Sequence, residues 1–115
     1  MNVKGVGIDV EAVERFMPFN KDRENHFLHT TFSGAEIDYC FSFKNPAVHL
    51  AGIFSAKEAV FKALGKRNIL QSMIEIKKSK DGQPIVWIGG HQKKTILVSI
   101  SHTKDTAVAI AIKNE

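Results

Sequence analysis

Residues 48–64 carry Leu50, Ala51, Phe54, Ala56, Ala59, Val60, Ala63 and Leu64 at helical spacing. This long apolar stripe constrains the fold more than any other feature of the chain. Gly65 follows it as a C′ residue that ends the helix. One continuous helix satisfies the pattern. So do two helices meeting near Ser55, because Ser55-x-x-Glu58 has capping-box spacing.

Beyond the stripe the chain reads as strands. Residues 73–77 and 84–88 flank a Lys80-Asp81-Gly82-Gln83 turn, and Gly89-Gly90 with the polar 91–94 make a second turn before a strand at 95–101. The last strand, 106–112, alternates Ala107, Ala109 and Ala111 with Val108, Ile110 and Ile112, and its alanine face allows close approach of a helix or of another subunit. Ahead of the stripe, 3–10 predicts a first strand, with Val6, Ile8 and Val10 on one face and Gly5, Gly7, Asp9 and Glu11 on the other. A short helix over 11–16 is expected to stop near Pro18, and Ser33-Gly34-Ala35-Glu36 opens another through a capping box. Helices concentrated in the first half and hairpins in the second give an α+β class.

With 115 residues the chain supports one domain, 1–115, and no repeat or linker divides it. A chain of this size buries roughly two-thirds of its unfolded surface, enough to fold without disulfides or structural metal. Cys40 is the only cysteine, so no internal disulfide and no cysteine-based zinc site is expected. The absence of a long apolar run and of a signal-peptide pattern predicts a cytoplasmic protein with no membrane partner. The net charge of +4, from 16 Lys and Arg against 12 Asp and Glu, favours an anionic partner without choosing one. The cations are dispersed and aromatics do not alternate with them, which argues against a nucleic-acid platform.

Asp9 and Glu11 share one face of the first strand. Such a carboxylate pair can converge on a hard cation such as Mg²⁺, or one of the two can cap the following helix and face solvent. Glu58 and Lys62, four apart on the main helix, read either as a surface ion pair or, with Lys57, as charges gathered around a helix start that attracts phosphate. Ser99, Ser101 and His102 suggest a hydrolase, but adjacent strand residues face opposite ways and no Gly-x-Ser-x-Gly elbow is present. His102 either donates to an anionic oxygen or closes a strand. His26, His29, His49 and His91 show no metal-ligand spacing, and no dinucleotide fingerprint or P-loop follows Gly5 and Gly7.

Taken together, Gly7-Ile8-Asp9-Val10, Phe54-Ser55-Ala56-Lys57-Glu58-Ala59-Val60-Phe61-Lys62-Ala63-Leu64-Gly65 and Ser99-Ile100-Ser101-His102 resemble the 4′-phosphopantetheinyl transferases. Phe32-Ser33-x-x-Glu36 and Lys80-Asp81-Gly82-Gln83-Pro84 are similar to further signatures of that family, and the length resembles its short holo-(acyl-carrier-protein) synthase branch. The resemblance implies an α+β fold, helices packed on an antiparallel sheet, that assembles as a homotrimer with sites between subunits. It implies transfer of the phosphopantetheine arm of coenzyme A to a serine of an acidic acyl-carrier protein, in fatty acid or polyketide synthesis. It carries Mg²⁺ binding to Asp9 and Glu58, and catalysis to Glu58 and Lys62. Coenzyme A contacts fall to Lys57, Lys62, Gly65, Ser101 and His102, and carrier-protein docking to Arg15.

Three positions depart from the family pattern. Ile53 stands where an arginine is common. Lys66-Arg67-Asn68-Ile69 replaces a Gly-rich continuation, and its two cations are candidates to compensate. Asp9-Val10-Glu11 has the Asp-x-Glu spacing of the larger relatives, which makes Glu11 a candidate third metal ligand. The first two departures leave a rival reading, a non-catalytic relative that docks a carrier protein or synthase subunit.

Overall fold

The computed structural model describes residues 2–65 and 69–115. Lys66, Arg67 and Asn68, the segment expected to compensate for the missing Gly-rich continuation, lie outside the described residues. Strand β1 (Val3–Ala12) leads into a 3-10 turn (Val13–Lys21), followed by helices α1 (His26–Thr31), α2 (Gly34–Phe41) and α3 (Pro46–Leu64). Strands β2 (Ile74–Lys78), β3 (Pro84–Ile88), β4 (His91–Gln92), β5 (Ile96–His102) and β6 (Thr106–Asn114) complete the chain. Among the described residues the strands form two antiparallel sheets, β1-β6-β5 and β2-β3-β4.

Helix α3 is one helix. Its N-terminal residue is Pro46, whose fixed φ and missing N–H suit the first turn. The Ser55 hydroxyl donates to the Gly52 carbonyl and caps nothing, so the two-helix alternative does not form. Gly65 ends the helix in the left-handed conformation, φ 61°. Strand β1 extends two residues past the expected end, which keeps Glu11 on the strand, and the turn beyond it runs through Pro18. A 3-10 turn tolerates that proline because its backbone bonds are few and local. The Ser33–Glu36 capping box is complete, with the Ser33 hydroxyl accepting from the Glu36 N–H and the Glu36 carboxylate accepting from the Ser33 N–H.

The α3–β1 contact organises the rest. A methyl group on Gly7 would sit 1.9 Å from the Ala59 carbonyl oxygen, and one on Gly5 would sit 1.9 Å from that of Ala63. The glycines therefore let strand backbone lie directly on helix backbone. Ala107, Ala109 and Ala111 of β6 pair beside them in register and are fully or almost fully buried under the same helix. The alanine face of the last strand thus receives the helix, not a second subunit. The consequence for the opposite face is unusual. Val6, Ile8 and Val10 are 58%, 59% and 63% exposed, and Leu97 and Ile110 share their side of the sheet through the register Leu97↔Ile112 and Ile8↔Ile110.

The core proper lies on the helix side, around Phe16, Leu28, Ile37, Leu50, Ile53, Val60 and Ile74. Phe54 joins it to an aromatic group, 5.5 Å from Phe16 and 6.4 Å from Phe32 between ring centroids. One buried carboxylate ties the second sheet to the helices. Glu36 accepts from Lys57 Nζ at 2.7 Å and from the Ile76 N–H at 2.8 Å, linking α2, α3 and β2.

Gly7→Ala should lower folding stability by about 3 kcal/mol or more, because the clashing atom is backbone and neither element can yield cheaply. Urea denaturation of the variant beside wild type measures this, and an unchanged midpoint would contradict the packing described.

Candidate active site

Asp9 and Glu11 leave β1 on the helix-facing side, just past the glycines, where the sheet rises clear of α3. Both side chains are largely buried, each 12% exposed. Lys62, one turn before the C-terminus of α3, reaches across to this strand. Its ammonium donates to the Ile8 carbonyl at 2.9 Å and to Asp9 Oδ1 at 3.3 Å. The other carboxylate oxygen, Asp9 Oδ2, is buried and has no hydrogen-bond partner. Glu11 meets Arg15 Nη1 at 2.9 Å. Burial pushes the Glu11 carboxyl up to about 7, and the neighbouring Asp9 adds to the rise, against the lowering effect of Arg15.

These features fit a divalent cation. Two carboxylates crowd each other, one oxygen is left unsatisfied in a buried position, and the donor set is oxygen throughout, which suits Mg²⁺. Glu58, the other expected ligand, is half-buried and accepts a hydrogen bond from Gln71 Nε2. Among the described residues no group of three His, Cys, Asp or Glu side chains stands in metal-binding array. The expected ion pair between Glu58 and Lys62 is not formed among the described residues. Lys62 turns to Asp9 instead, because β1 offers it a carbonyl and a carboxylate together.

Glu58 lines a cleft of about 390 Å³ with Phe27, Thr30, Phe54, Lys57 and Gln71. Lys57 is only 5% exposed and its ammonium is held by Glu36. The residue expected to meet a substrate phosphate thus spends its charge inside the protein, and breaking a buried pair of this kind by removing one partner is strongly destabilising. Arg15 sits at the rim, its guanidinium 4.9 Å from the centre of the Phe54 ring, half-exposed and stacked between the carboxylate pair and the cleft. Gly65 closes α3 one turn from Lys62. Ser101 and His102 diverge: Ser101 pairs with Val108 on the exposed face, and His102 pairs with Ala107 on the helix side. Local sequence gave no signal for the Gln71 and Glu36–Lys57 contacts, since both partners in each case are distant in the chain.

The fold is that of an α+β protein in which a sheet end with paired carboxylates meets a lysine from the central helix. Residues 5–112 match the family model described as the 4′-phosphopantetheinyl transferase superfamily. The chain is 44% identical over 111 residues to a holo-[acyl-carrier-protein] synthase of Thermodesulfovibrio yellowstonii, covering 96% of this chain and 97% of that relative. A crystal structure of a holo-(acyl-carrier-protein) synthase from Bacillus anthracis, in complex with CoA (3′,5′-ADP), superposes with a TM-score of 0.80 at 26% identity, over 98% of this chain and 97% of that one. One from Helicobacter pylori, in complex with coenzyme A, gives 0.77 at 27% identity, over 95% and 99%. The chain belongs to the 4′-phosphopantetheinyl transferase superfamily, in its short holo-(acyl-carrier-protein) synthase branch.

In the metal-free protein the raised Glu11 value makes the folded state bind a proton that the unfolded state has lost. Stability therefore falls as pH rises from the ordinary value of 4.5 through about 7. Glu11→Gln should melt at a higher temperature than wild type above that window, and the gap should close below it. Differential scanning calorimetry across pH reads this, and a gap independent of pH would remove the carboxylate crowding.

Proposed function

We propose that the chain, as one unit over 1–115, transfers the 4′-phosphopantetheine moiety of coenzyme A to a serine of an apo acyl-carrier protein or carrier domain, in a Mg²⁺-dependent reaction. The serine oxygen attacks the phosphorus that bears the pantetheine arm. The bond from that phosphorus to the bridging oxygen breaks, and adenosine 3′,5′-bisphosphate leaves. The observation that carries the reading is the buried, unpaired Asp9 Oδ2 beside Glu11 and within one residue's reach of Lys62. Supporting it are relatives named for carrier-protein synthesis and solved structures in complex with coenzyme A.

Asp9 and Glu58 would hold the metal, with Glu11 a third ligand drawn in by its shared position on β1. When bound, the ion supplies Lewis acidity to the pyrophosphate. Lys62 neutralises charge on the leaving phosphate, and its anchoring to the Ile8 carbonyl keeps the ammonium in place without further reorganisation. Glu58, held by Gln71 at the mouth of the cleft, takes the serine proton directly or through a water. Gly65 lets substrate approach the backbone at the end of α3, and His102 meets the anionic part of coenzyme A. The diverging Ser101 contacts coenzyme A only across a subunit boundary. Lys57 acts by holding α3 against Glu36, a role that sets the position of its neighbour Glu58. Arg15 at the exposed rim meets an acidic face of the carrier protein, and the net positive charge speeds that encounter.

A homotrimer accounts for the bare face of β1-β6-β5. An apolar sheet face on this scale is seldom left to water, and covering it with a second copy would bring another subunit beside Ser101. Cytoplasmic location agrees with the chemistry, since coenzyme A and carrier proteins meet there. No helix among the described residues is long and apolar enough to cross a membrane.

Mass spectrometry of an apo carrier protein incubated with coenzyme A, Mg²⁺ and the protein should detect the added arm. Asp9→Ala and Glu58→Ala should each lower the rate by about a hundredfold or more while remaining folded. Absence of transfer across a panel of carriers would overturn the reading, and full activity of either variant would overturn its metal assignment. Analytical ultracentrifugation should find wild type as a trimer and Ile8→Glu as a monomer. A wild-type monomer would refute the assembly.

A further inference from the structure

Glu58 is held by a neutral group, although Lys57 immediately precedes it and Lys62 follows one turn later on α3. The Lys57 ammonium is buried against Glu36 at 2.7 Å, and that of Lys62 donates to the Ile8 carbonyl and to Asp9. Both lysines are thus committed to other partners. Glu58 Oε2 instead accepts a hydrogen bond from Gln71 Nε2. Among the described residues Gln71 is the one side chain bonded to it.

The backbone aims Gln71 at this carboxylate. Gln71 opens a second 3-10 turn (Gln71–Met73), which packs against α1 and α3 just ahead of β2. The Met73 N–H donates to the Leu70 carbonyl at 2.9 Å, and the Met73 carbonyl accepts from the Gly89 N–H at 3.0 Å. Gly89 lies in the turn between β3 and β4, so the second sheet carries the segment, and the fully buried Ile74 that follows anchors it in the core. Gln71 itself is exposed. Its side chain fills no core space, and its amide contact reaches Glu58 at the wall of the cleft.

A carboxylate offers two oxygens with about four lone-pair sites, so one oxygen held by Gln71 leaves the other to ligate an ion. Metal-ligating carboxylates are themselves oriented by hydrogen bonds from outside the coordination sphere. The charge of the donor decides its effect on the ion. An ammonium or guanidinium at position 71 would pair with Glu58 and repel a divalent cation. A primary amide orients the oxygen and leaves its negative charge available. That charge is scarce here: the three carboxylates of Asp9, Glu11 and Glu58 stand against the two cations Lys62 and Arg15, a formal margin of one negative charge.

We propose that Gln71 is a positioning residue for the divalent cation: its amide sets the Glu58 carboxylate for ligation, and its neutrality preserves the charge the ion requires. This rests on the transferase reading, which places Mg²⁺ at Asp9 and Glu58.

Mn²⁺ titrated into the full chain with coenzyme A present, and followed by electron paramagnetic resonance of the free ion, reads the affinity directly. Gln71→Met removes the donor with little change in length and should weaken binding about tenfold or more. Gln71→Lys returns a donor but adds a charge, and should weaken binding at least as much. Because the position is exposed, both variants should melt within roughly 3 °C of wild type without metal. In the carrier assay the Mg²⁺ concentration for half-maximal transfer should rise by the same factor as the Mn²⁺ dissociation constant, and excess Mg²⁺ should recover the lost rate. Wild-type Mn²⁺ affinity in Gln71→Met would overturn the proposal, and wild-type affinity in Gln71→Lys would overturn the part assigned to neutrality. If wild type binds Mn²⁺ no better than Asp9→Ala, the metal assignment of the transferase reading fails and the proposal falls with it. If wild type binds better than Asp9→Ala and both Gln71 variants match wild type, the proposal alone fails.

Discussion

Backbone-to-backbone contact between β1 and α3 is the constraint on which the remaining structure depends. Gly5 and Gly7 bring the first strand against the carbonyls of Ala63 and Ala59, so tightly that no side chain fits between. Because side chains alternate along a strand, this contact also decides the direction of the next two residues on the same face. Asp9 and Glu11 must emerge beside the helix, just where it presents Lys62. The contact that stabilises the fold is therefore the one that assembles the charged site. A carboxylate pair with a buried, unsatisfied oxygen is costly in isolation. It persists because glycine and alanine packing over-determine the position of the strand.

Glu36 has the complementary task on the other side of α3. It closes the N-terminus of α2, receives the Lys57 ammonium and accepts the Ile76 N–H. One carboxylate thus fixes the rotation of α3, the start of α2 and the placement of the second sheet. Lys57 and Glu58 are adjacent in sequence, about 100° apart around the helix. Locking Lys57 inward points Glu58 toward the cleft, where Gln71 receives it. The lysine and the glutamate of one short motif consequently do different work, one holding and one facing the cleft.

The sheet β1-β6-β5 has two unlike faces. Glycine and alanine serve the helix, and valine, isoleucine and leucine face outward. Large residues are usually the ones buried, and here the order is inverted because small residues are required wherever backbone approaches backbone. The outward face gives the fold an exposed apolar surface and places Ser101 there, away from its neighbour His102.

Strong local signals mark the apolar stripe of α3 and its Gly65 end, the Ser33–Glu36 capping box, and the alternation of β1 and β6. Family membership was also legible, since three separated motifs can be recognised without knowing how they meet. Long-range packing supplied what no local window contains. It kept α3 whole across Ser55, carried β1 on through Glu11, turned the alanine face inward and the valine face outward, and gave Lys62 to Asp9. It also spent Lys57 on Glu36, and brought Gln71 to Glu58. Propensity and capping act over a few residues, whereas these outcomes depend on which side chains distant parts of the chain can bring within bonding distance.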